Sequence, residues 1–145
     1  MSVNPESAGR GEPFQTMVPS GQVELVFPVA TDLFHLARLV MTGVASRSGF
    51  DIEEVEDLRL AIDELCLSVL AGRRGGRLFL EFDGTDDQIE VWCHHDGAEG
   101  PDSDQDDSDG LSDRILEALV DEHGPVTRNG QHGARMCKRR APRDG

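Results

Sequence analysis

Residues 51–72 read DIEEVEDLRLAIDELCLSVLAG, and their spacing organises the rest of the chain. Val55, Leu58, Ile62, Leu65 and Val69 recur at alternating steps of three and four, the period that lines one face of an α-helix. Asp51 followed by Glu54 matches a capping box, with acidic residues in the first turn where the helix dipole favours them. Leu60, Cys66 and Leu67 widen the apolar surface, which predicts a helix covered on more than one side. Gly72 ends it, and residues 73–76 read as a loop.

Upstream, Val23, Leu25 and Phe27 alternate with Glu24 and Val26, the pattern of a strand with one buried face, stopped by Pro28. Thr31 and Asp32 offer N-cap chemistry for a first helix, whose predicted stripe is Leu33, Leu36, Val40 and Val44, ending at Gly49. Downstream, Leu78, Leu80 and Phe82 alternate, Gly84-Thr85-Asp86-Asp87 turns the chain, and Ile89, Val91 and Cys93 alternate on the return. That is a hairpin. Residues 111–122 return to helical spacing, with Leu111, Ile115, Ala118 and Leu119 on one side. Short strands at Val126–Arg128 and Ala134–Arg139 are joined through Asn129-Gly130, and the basic KRRAPR end is expected in solvent. Strands grouped antiparallel with helices on one face predict an α+β two-layer sandwich.

Composition narrows the function. Residues 1–20 are rich in Gly, Pro, Ser and Glu without an apolar period and read as a disordered tail before one domain at 21–140. No apolar run reaches the roughly 18 residues of a membrane span. The start lacks the basic-then-apolar order of a signal peptide, so the expected location is cytoplasmic. Cys66, Cys93 and Cys137 lie far apart without a Cys-x-x-Cys, which fits buried thiols rather than a disulfide framework or zinc site. Fourteen basic against 28 acidic residues give a net charge of −14. That argues against direct contact with nucleic acid or anionic lipid and permits a basic protein partner.

The segment Glu56-Asp57-Leu58-Arg59-Leu60-Ala61-Ile62-Asp63-Glu64-Leu65-Cys66-Leu67-Ser68 resembles the N-box helix of the RsbW-type anti-sigma factors and serine-protein kinases. These belong to the GHKL, or histidine-kinase-like, ATPases with the Bergerat-type fold. The family pattern there is D-L-x-L-A-V-x-E-A-x-x-N. VELVFPVATDLFHLARLV before it, and the glycine-box-like stretch from Asp109-Gly110-Leu111-Ser112 to Glu122, extend the resemblance over about residues 22–140.

The resemblance implies roles for particular residues, together with ATP and Mg²⁺ as the family's cofactors. Glu64 stands where the family has the carboxylate that activates the attacking hydroxyl, and Ser68 where an Asn holds Mg²⁺. A hydroxyl is shorter and a poorer ligand than an amide oxygen. The first glycine box, D-x-G-x-G, falls on His95-Asp96-Gly97-Ala98-Glu99, so His95 replaces the adenine-gripping Asp unless Asp96 serves after a one-residue slip. Gly110 retains the later box, but Ser112 stands where a second Gly would let backbone approach phosphate. Such departures imply an ATP site weakened or lost.

Blander readings stand beside these. Glu64 and Ser68 lie one turn apart and read equally as a polar pair on an amphipathic helix. His94 and His95 point to opposite faces of a strand and cannot readily share a metal. An EF-hand starting at Asp102 would need Gly and Glu where Asp107 and Asp113 stand. No metal site is therefore expected. Residues 97–109 read as a mobile acidic loop where the family carries its ATP lid. There they would repel a triphosphate, dock a basic surface or simply solubilise. The function implied is an anti-sigma factor that sequesters a sigma factor and is switched by an anti-sigma antagonist. The alternative is an active serine kinase phosphorylating that antagonist. The same reading leaves room for a homodimer.

Overall fold

The computed structural model describes residues 22–73, 75–97 and 110–142. The expected tail at 1–20 and nearly all of the acidic loop at 97–109 lie outside the described residues. Five strands form one antiparallel sheet: β1 (Gln22–Pro28), β2 (Arg77–Gly84), β3 (Gln88–His95), β4 (Glu122–Arg128) and β5 (Gln131–Arg139), in the order β1-β2-β3-β5-β4. Three α-helices accompany it: α1 (Phe34–Arg47), α2 (Ile52–Leu70) and α3 (Leu111–Leu119). This is the α+β sandwich expected from the alternation.

Pairing register shows why one face is covered. Phe82 pairs with Val23 and Val91, Leu80 with Leu25 and Cys93, and Val91 with Met136. These residues, most of them fully buried, meet Leu58, Ile62, Leu65, Ala37 and Met41 of the helices. The period of two in the strands and of 3.6 in the helices thus feeds one core. At the β4–β5 hairpin, Asn129 and Gly130 both take positive φ, 52° and 80°, as the twist of a tight two-residue turn requires.

Several expectations need correction. Thr31 and Asp32 do not cap α1: residues Thr31–Leu33 form a 3-10 turn, and the helix begins at Phe34 without a side-chain cap. The buried stripe of α1 is accordingly Phe34, Ala37, Met41, Val44 and Ala45 rather than one running from Leu33 through Leu36 and Val40. The small Ala37 and Ala45 allow close packing on that side. Leu60 and Leu67 of α2 are exposed, 57% and 44%, because α1 and α3 flank the helix without covering its outer crest. Helix α3 stops at Leu119, since Val120 is extended (φ −130°), and Glu122 already belongs to β4. Of its predicted stripe, Leu111 and Ala118 are exposed and Leu116 is the buried residue. The basic end is tied down rather than free. Lys138 Nζ donates to Leu119 O at 2.9 Å, Arg139 pairs with Glu122, and Ala141 N donates to Glu54 Oε2 at 2.8 Å.

Candidate functional site

The capping box holds the start of α2: Glu54 N donates to Asp51 Oδ1 at 2.9 Å, and Asp51 N donates to Glu54 Oε1 at 2.8 Å. With the apolar stripe turned inward, Asp63 and Glu64 emerge on opposite shoulders of the helix. Asp63 faces α1, where Arg38 reaches both of its oxygens at 2.9 Å. Glu64 faces α3, where Ser112 Oγ donates to Glu64 Oε1 at 2.9 Å. Two positions 48 residues apart in sequence are therefore joined.

One turn further on, Ser68 Oγ donates to Leu65 O of its own helix at 2.8 Å. Ser68 also lines a cavity of about 300 Å³ between α2, α3 and the β4–β5 hairpin, with Arg73, Asp113, His123, Pro125 and His132. Sequence reading did not single out Arg73, His123 or His132. Nothing local marks them, because a helix end and two strands bring them together. His123 Nε2 lies 3.5 Å from Glu117 Oε1, and its buried Nδ1 has no hydrogen-bond partner among the described residues.

The first-glycine-box positions form a separate cluster at the end of β3. His95 Nε2 sits 2.7 Å from Gly75 O, while its buried Nδ1 has no partner among the described residues. Asp96 is bound on both oxygens by Arg77, from the backbone N–H at 2.8 Å and the guanidinium at 3.1 Å. That backbone hydrogen bond, and then the guanidinium, lower the Asp96 carboxyl below the usual range. Gly97 closes the cluster, since an added Cβ would lie 2.7 Å from His95 Cε1. Gly110 takes a left-handed φ of 72° as the N-cap of α3, a conformation glycine adopts without penalty. Among the described residues no group of three or more His, Cys, Asp or Glu is placed to hold a metal ion.

These positions fit Mg-ATP poorly. The Ser68 hydroxyl hydrogen is spent on its own helix, both Asp96 oxygens are held by Arg77, and a Glu64 oxygen accepts from Ser112. Mg²⁺ requires near-octahedral oxygen ligands, and Ser68 offers only a short hydroxyl where a longer amide oxygen would reach further. Arg77 already holds the Asp96 carboxylate that would take an adenine amino group.

No family model matches the chain. Similar proteins do. The serine-protein kinase RsbW of Halalkalibacterium halodurans is 30% identical over 71 residues, covering 48% of this chain and 44% of that protein. The one from Bacillus pumilus is 33% identical over 69 residues, 48% and 40%, and the one from Listeria innocua 30% over 80 residues, 52% and 51%. Over about half of its length the chain is similar to these RsbW serine-protein kinases. It spans about half the length of the relatives it matches. An RsbW-type reading accords with the α+β fold and its five-stranded antiparallel sheet.

Proposed function

We propose that the chain is an anti-sigma regulatory factor. It binds and sequesters an RNA polymerase sigma factor and is switched by an anti-sigma antagonist, with its nucleotide site impaired. RsbW-type kinship supports the regulatory role. The observation that carries impairment is the Ser112–Glu64 hydrogen bond, which engages the carboxylate the family would use as base. The nucleotide-site residues of this reading are Glu64, Ser68, His95, Asp96, Gly97, Gly110 and Ser112. Its partners are proteins, its location is cytoplasmic, and it neither binds nucleic acid nor touches a membrane. No described helix is long and apolar enough to cross one, and the net charge of −14 disfavours phosphate surfaces.

Affinity capture from the native cell, with mass identification, tests the proposal. Recovery of a sigma factor or antagonist is expected, and their absence under every growth condition would overturn it. Duplex DNA should not shift with purified protein at physiological salt. The second reading, an active ATP-dependent serine kinase acting on the antagonist, is favoured by the retained Glu64 and by the cavity beside Ser68. Transfer of labelled phosphate from ATP to a captured antagonist would establish it in place of the first.

A further inference from the structure

The sheet face turned away from the helices carries two transverse rows of side chains. One runs Glu24, Glu81, Trp92, Arg135, and the other Val26, Phe79, His94, Gly133, Val126. Phe79 and His94 stack at 4.7 Å with their planes 1° apart, and Val26 is 45% exposed. Gly133 breaks the second row. A Cβ there would collide with the carbonyl of Cys93, so the gap between His94 and Val126 is enforced by backbone approach. The result is a hollow of about 210 Å³ whose lining includes Val26, Phe79, Trp92, Glu24, Glu81 and Arg128, the last paired with Glu81, large enough for one long side chain.

Electrostatics select what would enter it. Arg77, Arg128 and Arg135 each lie over an aromatic ring of this face, Arg128 only 4.0 Å from the Trp92 centroid. Each also has its own carboxylate: Asp96, Glu81 and Glu90. Glu24 sits directly opposite Glu81 on the neighbouring strand, a like-charge pair that costs free energy unless both are neutralised. Arg128 satisfies Glu81 at 2.7 Å, whereas Glu24 has no cation among the described residues. Among the described residues, then, the Glu24 carboxylate stands without a cation at the rim of an aromatic and aliphatic hollow.

We propose that this open sheet face docks a cationic segment of a protein partner, an arginine stem lying over Val26 and Phe79 with its guanidinium on Glu24. A guanidinium suits both halves of the site, because it forks onto carboxylates and tolerates aromatic neighbours. The net charge of −14 draws a basic partner. The surface lies across the sheet from Glu64 and does not depend on the nucleotide reading.

Trp92 is the chain's only tryptophan and there is no tyrosine, so tryptophan emission reports this hollow alone. Titration of the full chain with the capped peptide acetyl-Arg-Val-Arg-Val-Arg-amide should change that emission saturably, and more weakly as salt rises. The glutamine counterpart, acetyl-Gln-Val-Gln-Val-Gln-amide, should leave it unchanged. Glu24→Gln should weaken binding about threefold, the effect of one partly exposed ion pair, and Val26→Lys should abolish it by placing a cation in the hollow. Both substitutions fall on exposed positions of a formed sheet. Equal responses to the two peptides, or none to either, would overturn the proposal. So would emission that shifts with protein concentration alone as the sedimenting mass doubles, which would assign the face to a homodimer.

Discussion

Ser112 at the start of α3 donates a 2.9 Å hydrogen bond to Glu64 in the middle of α2. The bond links the two segments that carry the family resemblance, and it is made by the residue that departs from the family's glycine. The hydroxyl thus serves as an internal contact between two helices.

That contact contributes to stability. Ser112→Ala should lower the free energy of unfolding by about 1 kcal/mol, the typical net worth of a hydrogen bond to a partly buried acceptor. Urea denaturation monitored by Trp92 emission measures it. No change in the midpoint would mean that Glu64 is equally well served by water.

Wild-type protein should bind Mg-ATP weakly or not at all, and Ser68→Asn should strengthen binding if the cleft otherwise survives. The amide oxygen reaches one bond further than the hydroxyl, and a well-placed ligand to a charged species is worth on the order of 2 kcal/mol, or about 30-fold. Calorimetry on both proteins decides. Micromolar binding by the wild type would refute the impaired site, and Glu64→Ala would then test catalysis.

Stability should fall with acid in two steps. Burial lowers the His94 pKa, so its contribution is complete above the unfolded value of about 6.5 and fades as pH drops through the lower folded value. Arg77 lowers Asp96, while Arg139 and then Arg135 lower Glu122. Those contributions are present above the unfolded carboxylate values of about 4 and are lost as pH falls through the folded ones. Thermal midpoints across pH should therefore show the first step removed by His94→Gln and the second reduced by Asp96→Asn.

Amides of residues 58–69 should be among the slowest to exchange with solvent, because Leu58, Ile62 and Leu65 are fully buried at the centre of the core. Leu65→Ala should cost about 2–5 kcal/mol. Fast exchange throughout α2 would contradict the fold.

The elements whose periods are strong were legible from residues alone. The 3-4-3-4 spacing of α2, its Asp51–Glu54 box and the alternation of β2 and β3 all appear where the pattern places them. Local signals failed where two structures compete for the same residues. Thr31 and Asp32 are good caps, yet the chain makes a 3-10 turn there. The helix predicted over 111–122 stops at Leu119, and pairing with β5 claims Glu122 for a strand.

Glu64, Ser68 and Ser112 were identifiable from the sequence as site candidates, because a motif preserves spacing along the chain. Their chemistry was not, because hydrogen bonds depend on which neighbours the fold supplies. Leu65 O takes the Ser68 hydroxyl, Arg77 takes both oxygens of Asp96, and Ser112 reaches Glu64 from another helix. The hollow around Trp92 illustrates the same division. Alternation along each strand determined that Glu24, Val26, Phe79 and Trp92 would face away from the core. Only the register across five strands put Glu24 beside Glu81 and a glycine beside His94, since a one-residue slip in pairing would send every side chain to the other face.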